Sequence, residues 1–141
     1  MAVNTPRHIA DTVAEVLVNA NLTGHDSHGI LRVPSYLEQI EAGTLNPASE
    51  LAVLEEANAR LLVDSQGGFG HYASRQAMEK AIAKARRENV CCVTFNPIHH
   101  IGRLGEYAEQ AARSDCIGMI TIGGGSTAGV KCYPLAQPRA H

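Results

Sequence analysis

A chain of 141 residues with 45% hydrophobic composition has room for one cored domain and little beyond it. A formal net charge of -2, with 12 basic and 14 acidic residues mixed along the chain, excludes the basic footprint of a nucleic-acid or anionic-membrane binder. No apolar run approaches the roughly 20 residues of a membrane helix, and the first residues lack the apolar stretch of a signal peptide, so a cytoplasmic location is expected.

Thr5-Pro6 reads as an N-cap followed by proline at the first helical position. Ile9, Val13, Val16, Leu17 and Ala20 then recur at helical spacing, and Gly24 ends that helix. A second helix is predicted over about 30–42, with Leu31, Tyr36, Leu37 and Ile40 on its apolar side and Pro34 near its start. Residues 51–55 and 60–64 are short apolar runs about Ala57-Asn58-Ala59 and predict two strands, as in a hairpin. After Gly67-Gly68-Phe69-Gly70, a long helix is predicted over about 72–87, with Ala73, Ala77, Ala81 and Ala85 on one face for close packing. Residues 90–95 read as a strand of the buried kind, 96–102 as a loop, 104–114 as a helix and 117–122 as another buried strand. This alternation predicts α/β layering: N-terminal helices, then a mainly parallel or mixed sheet with helices.

The pattern stops after Gly123-Gly124-Gly125, and the stretch from Ser126 to His141 has no clear period. A buried strand there would need neighbours and cover, so the sheet reads as incomplete, with exposed apolar surface expected. Cys91, Cys92, Cys116 and Cys132 include no CxxC, and adjacent strand residues point to opposite faces. Mostly buried, reduced thiols are expected, and no metal site.

Asp26-Ser27-His28-Gly29 with Arg32 places a hydroxyl, an imidazole and a guanidinium close together just after a helix. A hydroxyl and an arginine can hold a small carboxylate, and a histidine beside it can move a proton near neutral pH. His28 alone would read as a polar helix-start residue; Ser27 and Arg32 turn the reading toward function. His99 and His100 follow a predicted strand, where α/β proteins place ligands, and one of them is a candidate. His8, His25, His71 and His141 read as surface residues. Gly68-Phe69-Gly70-His71-Tyr72-Ala73 has the spacing of a dinucleotide fingerprint, with Glu88 further on. Ser65-Gln66-Gly67 intervene before the turn and Glu88 falls on a helical pattern, which favours a glycine loop that starts a helix close to the sheet.

Asp26-Ser27-His28-Gly29-Ile30-Leu31-Arg32-Val33-Pro34-Ser35-Tyr36 resembles the signature of the malate/L-lactate dehydrogenase family, of the sulfolactate-dehydrogenase-like type that includes ureidoglycolate dehydrogenase and diketogulonate reductase. His99-His100-Ile101-Gly102-Arg103-Leu104-Gly105-Glu106-Tyr107 resembles the second block of that family, and Gly67 to Gly70 also matches. The resemblance runs over about residues 8–125. It implies a non-Rossmann fold and NAD- or NADP-dependent oxidation of small 2-hydroxy acids, or reduction of 2-keto or cyclic imino acids. By position it implies His28 as proton donor or His100 as proton acceptor, Ser27 and Arg32 as substrate-binding residues, and Gly124 where members have a cofactor-contacting residue, often serine. A small carboxylate substrate and a homodimer of the complete protein are implied partners. Family chains are two to three times longer, and their later cofactor-binding strands have no match here. The resemblance therefore implies an N-terminal portion, divided into a helical segment 1–48 with the substrate motif, a partial α/β domain 49–125 and an unrelated tail 126–141. The alternative is a remnant without cofactor binding that associates with a partner.

Overall fold

Ile9, Val13, Val16, Leu17 and Ala20 form one buried face of helix α1, Arg7–Leu22. The structure is a computed structural model and describes residues 3–123 and 131–132. The cap of α1 is Pro6 rather than Thr5: the Pro6 carbonyl already accepts the amides of Ile9 at 3.1 Å and Ala10 at 3.0 Å. The Thr5 hydroxyl is buried without a hydrogen bond among the described residues.

Two 3₁₀ turns, Asp26–His28 and Ile30–Arg32, follow α1, and helix α2 covers Val33–Glu41. The predicted helix from residue 30 is thus corrected to a turn and a shorter helix. Proline has no amide hydrogen and clashes with the carbonyl four residues back, so a helix begun at Ile30 would break at Pro34. Begun at Val33, it holds Pro34 in its first turn. Tyr36 of α2 joins Ile9, Val13, Leu17, Leu45, Phe69 and Tyr72 in the first core cluster.

Strands β1 (Ala52–Ala57) and β2 (Arg60–Asp64) form the expected antiparallel hairpin, with Ala57 opposite Arg60. Helix α3, Gly70–Glu88, crosses over to β3, Cys92–Asn96, which pairs parallel to β2. The sheet is therefore mixed, in the order β1-β2-β3. Leu61 and Val63 are buried against Ala77 of α3, with Val93 and Phe95 packed beside them. The small residues Ala73 and Ala77 let α3 lie close to the sheet.

Gly70 shows how close that approach is. A Cβ there would meet the carbonyl oxygen of His100 at 2.6 Å and press on the His99 carbonyl, so the loop after β3 sits directly over the first turn of α3. Gly70→Ala should destabilise the fold by about 1–3 kcal/mol through overpacking against backbone. Chemical denaturation checks this; an unchanged midpoint would mean the loop yields freely.

Helix α4, Gly105–Ala112, packs on α3 and α1 and buries Glu106, Tyr107 and Ala111. The predicted buried strand over 117–122 is not there. Ile117 is 87% and Met119 73% exposed, and only Thr121–Ile122 (β4) is a strand, paired antiparallel with Lys131–Cys132 (β5). This pair forms a separate ribbon and does not join the three-stranded sheet. An apolar run reports affinity for a core, and among the described residues helix α4 covers only Gly118 of this one, through Ala108 and Ala111, while Ile117 and Met119 stay exposed. The thiols also differ from expectation: Cys92 is exposed, Cys91 and Cys116 are half-buried, and all three are free. Cys132 lies in β5.

Candidate functional site

The turn that carries Ser27 and His28 hangs from the end of α1. Asn21 donates its side-chain amide to Asp26 at 2.5 Å and accepts the Ile30 amide at 2.9 Å. Gly29 lies against that same side chain, where any Cβ would collide with it. Ser27 Oγ then reaches His28 Nδ1 at 3.0 Å.

The loop that carries His100 is held from three sides. Ser65 Oγ donates to the Pro97 carbonyl at 3.3 Å. The Tyr107 hydroxyl donates to the Ile101 carbonyl. Arg103 is only 12% exposed and pairs with Glu109 at 2.8 Å and Glu106 at 3.7 Å. Glu106 in turn accepts Arg75 of α3 at 2.6 Å and Asn19 of α1 at 3.4 Å, and Arg75 also pairs with Glu15 at 2.7 Å. One carboxylate thus ties α1, α3, α4 and the His100 loop together.

These supports bring two distant histidines into contact. The His28 and His100 rings stack with centroids 5.4 Å apart at 28°. Behind them, the Tyr36 hydroxyl is 2.8 Å from His100 Nδ1 and 3.3 Å from His71 Nε2. The His71 ring meets those of Tyr36 and His100 edge-on at 5.4 and 5.6 Å. Arg32 is exposed and makes no side-chain hydrogen bond or ion pair with a described residue, yet its charge acts on His28, Tyr36 and His100.

Burial dominates the titration of this cluster. Desolvation, with the charges of Arg32 and His28 adding to it, pushes His100 down to about 4. Desolvation, then His100, pushes His71 down to about 3. His28 is lowered by desolvation, then by Arg32 and His25. Desolvation pushes the Tyr36 phenol up to about 12 against the opposing effect of Arg32. The histidines are therefore neutral and the phenol protonated near neutral pH, beside a cation that has no anion partner among the described residues.

Ser27, His28, Arg32 and His100 thus fall in one place. His99 does not join them: it lines a shallow cleft with Asp64, Gly67, Pro97 and Ile98. Gly124 lies outside the described residues. Among the described residues no group of three or more His, Cys, Asp or Glu side chains is placed to hold a metal ion, and no helix is long and apolar enough to cross a membrane. His71, read as a surface residue from the sequence, is instead 0% exposed. Its signal was positional: it sits in the first turn of a helix that begins against another segment. The apolar spacing of α2 accounts only for the Tyr36 ring; its hydroxyl is what links buried His71 to half-buried His100. Asn21 gave no signal at all.

A family model described as malate/L-lactate dehydrogenase matches residues 1–128. Hydroxycarboxylate dehydrogenase B of Escherichia coli O157:H7 is 37% identical over 129 residues, which are 92% of this chain and 34% of that protein. L-Sulfolactate dehydrogenase of Methanothermobacter thermautotrophicus is 35% identical over 119 residues, 84% of this chain and 35% of that one. The crystal structure of malate dehydrogenase from Entamoeba histolytica superposes with a TM-score of 0.81 at 32% identity, over 84% of this chain and 33% of that one. The chain spans about a third of the length of the curated relatives it matches.

Proposed function

The chain belongs to the malate/L-lactate dehydrogenase family, and on that premise we propose that it serves the oxidation of small 2-hydroxy acids, or the reverse reduction of 2-keto or cyclic imino acids, with NAD or NADP as hydride partner. The observation that carries this reading is the stack of His28 on His100 beside the Arg32 guanidinium, which has no ion-pair partner among the described residues. Arg32 pairs with the substrate carboxylate in a charge-assisted, bidentate contact, and Ser27 orients it. One of His28 and His100 gives up or takes the proton of the reacting oxygen. The helical segment 1–48 supplies Ser27, His28 and Arg32, and the α/β segment 49–125 supplies His100. A cytoplasmic setting and a homodimer of the complete protein accompany the reading.

A hydroxy carbon that is oxidised expels a hydride, which no side chain accepts, and a nicotinamide supplies that chemistry when bound. The segment Gly68–Ala73 does not fit its pyrophosphate. The sides of Gly68 and Gly70 where a Cβ would stand face carbonyl oxygens, those of Ser65 at 2.9 Å and Ser49 at 3.1 Å for Gly68 and that of His100 at 2.6 Å for Gly70. Acceptor oxygens repel a phosphate where a fingerprint would present N–H donors. The glycine loop therefore serves helix packing, and the group of Ser27, His28, Arg32 and His100 serves the substrate.

A second reading, a remnant that associates with a partner, is favoured by exposed apolar side chains such as Leu22 (80%), Leu31 (73%) and Ile117 (87%). One titration separates the two. Pyruvate or oxaloacetate added to ring-labelled protein should shift the His28 and His100 resonances saturably, and Arg32→Lys should weaken that binding about tenfold, because lysine cannot make the bidentate contact. Oxidation of NADH or NADPH by the same acids is the turnover arm. No histidine response to either acid, with or without cofactor, sinks the dehydrogenase reading; self-association in sedimentation then supports the second.

A further inference from the structure

His71 is an imidazole with no exposed surface, and the roles assigned above leave it without one. One ring nitrogen, Nε2, lies 3.3 Å from the Tyr36 hydroxyl, and the other, Nδ1, is buried with no partner among the described residues. The same hydroxyl lies 2.8 Å from His100 Nδ1. We propose that His71 is a positioning residue which, acting through the Tyr36 hydroxyl, fixes the proton of neutral His100 on Nε2.

The argument follows the protons. A neutral imidazole carries one N–H, on either nitrogen. Either direction of the relay leaves one ring N–H without an acceptor among the described residues, on His71 Nδ1 or on His100 Nε2, and such an N–H is costly. His71 is wholly enclosed whereas His100 is only half-buried, at the edge of the site, so the N–H without a partner belongs on His100. The His71 proton therefore sits on Nε2, where the Tyr36 oxygen accepts it, and Nδ1 is left as the bare acceptor. Burial keeps His71 neutral, with its titration pushed down to about 3, so a second ring proton does not confuse the assignment. The tyrosine oxygen has one hydrogen to give, and His100 Nδ1 is the acceptor within reach. The 2.8 Å separation suits an O–H donor, and the longer 3.3 Å contact to His71 Nε2 suits the N–H donor on the other side of the oxygen. With Nδ1 accepting, His100 must carry its own proton on Nε2, an atom that is also buried and unbonded among the described residues.

The catalytic meaning rests on the function proposed above and deepens it. A His100 that presents N–H at Nε2 meets the reacting oxygen as a donor. That suits the carbonyl oxygen of a 2-keto acid as the ground-state ligand, and leaves the reverse, hydroxyl-deprotonating role in need of a tautomer change. His28 has no such relay, since its Nδ1 is engaged by Ser27 at 3.0 Å.

The test is nitrogen-15 NMR of the histidine-labelled chain without substrate or cofactor, so its outcome stands apart from the keto-acid titration. In the unaltered chain at neutral pH, His71 and His100 should each show a pyrrole-like Nε2 and a pyridine-like Nδ1. His71→Leu removes the donor to Tyr36, and His100 should lose its single-tautomer signature. His71→Gln, whose terminal amide can donate to the same oxygen, should restore it. Tyr36→Phe should abolish it whatever occupies position 71. A role confined to core filling would leave the His100 tautomer untouched in His71→Leu, and that result overturns the proposal. A His100 proton on Nδ1, or averaging between tautomers, in the unaltered chain overturns it as well, and this holds even if His71→Leu fails to fold.

Discussion

Acidification from about pH 7.5 to about pH 5 should remove on the order of 2 kcal/mol of folding stability through His71 alone. His71 is enclosed, and desolvation followed by the neighbouring His100 holds its titration at about 3, against an ordinary value of 6.5. Below 6.5 the unfolded chain takes up a proton that the folded chain refuses until about 3. The unfolded state therefore binds more protons across that window, and stability, complete above it, falls as the pH drops through it. His100, held at about 4, adds a loss of the same sign between 6.5 and 4. Glu15, Glu50 and Glu56 are shifted below the ordinary carboxylate value of 4.5, so their losses begin only beneath it and leave the higher window to the histidines. Denaturant melts at the two pH values measure the effect, and His71→Gln should remove the share of His71 and leave that of His100. Equal stability at both would mean that His71 is hydrated in solution.

Glu106→Ala should cost about 3 kcal/mol, the low end of what removal of one partner from a buried ion pair costs. The carboxylate is 7% exposed and receives Arg75, Arg103 and Asn19. Both arginines keep a second carboxylate, Glu15 for Arg75 and Glu109 for Arg103, which is why the loss sits at the low end. Glu106→Gln keeps an acceptor oxygen and should cost less. Because Glu106 joins α4 to α3, α1 and the loop after β3, the alanine variant should also blur the His28–His100 contact, visible as broadened ring resonances of both. A melt within experimental scatter of the parent would show that the exposed pairs carry the junction.

The elements most legible in the sequence were those whose local pattern and tertiary need agree. The five apolar positions of α1 all proved buried, and the hairpin and the α3 crossover lie close to where spacing placed them. The candidate residues were legible one by one, Ser27, His28 and Arg32 as neighbours in the chain and His100 from its place after a strand, and the fold supplies their juxtaposition. What stayed hidden depends on contacts between segments. Residues 117–122 carry the composition of a core strand, but cover is not a local property, and Ile117 and Met119 stand exposed. His71 was judged by residue type, which favours the surface for a lone histidine, while the carbonyls pressed against Gly70 enclose its turn. Tyr36 satisfied the apolar periodicity of α2 so well that its hydroxyl went unread.

The staple between Asn21 and Gly29 bears on how such a chain can drift. The Asn21 amide fits only because position 29 has no side chain, and the turn from Asp26 to Ile30 keeps its path only because that amide bonds both ends. Any larger residue at 29 displaces Asn21, and any residue at 21 without an amide frees the turn even while glycine remains. Neither position can change alone without releasing Ser27 and His28 from their place. Descent should treat the two as a single character, exchanged together or not at all, although one belongs to a helix and the other to the turn beyond it.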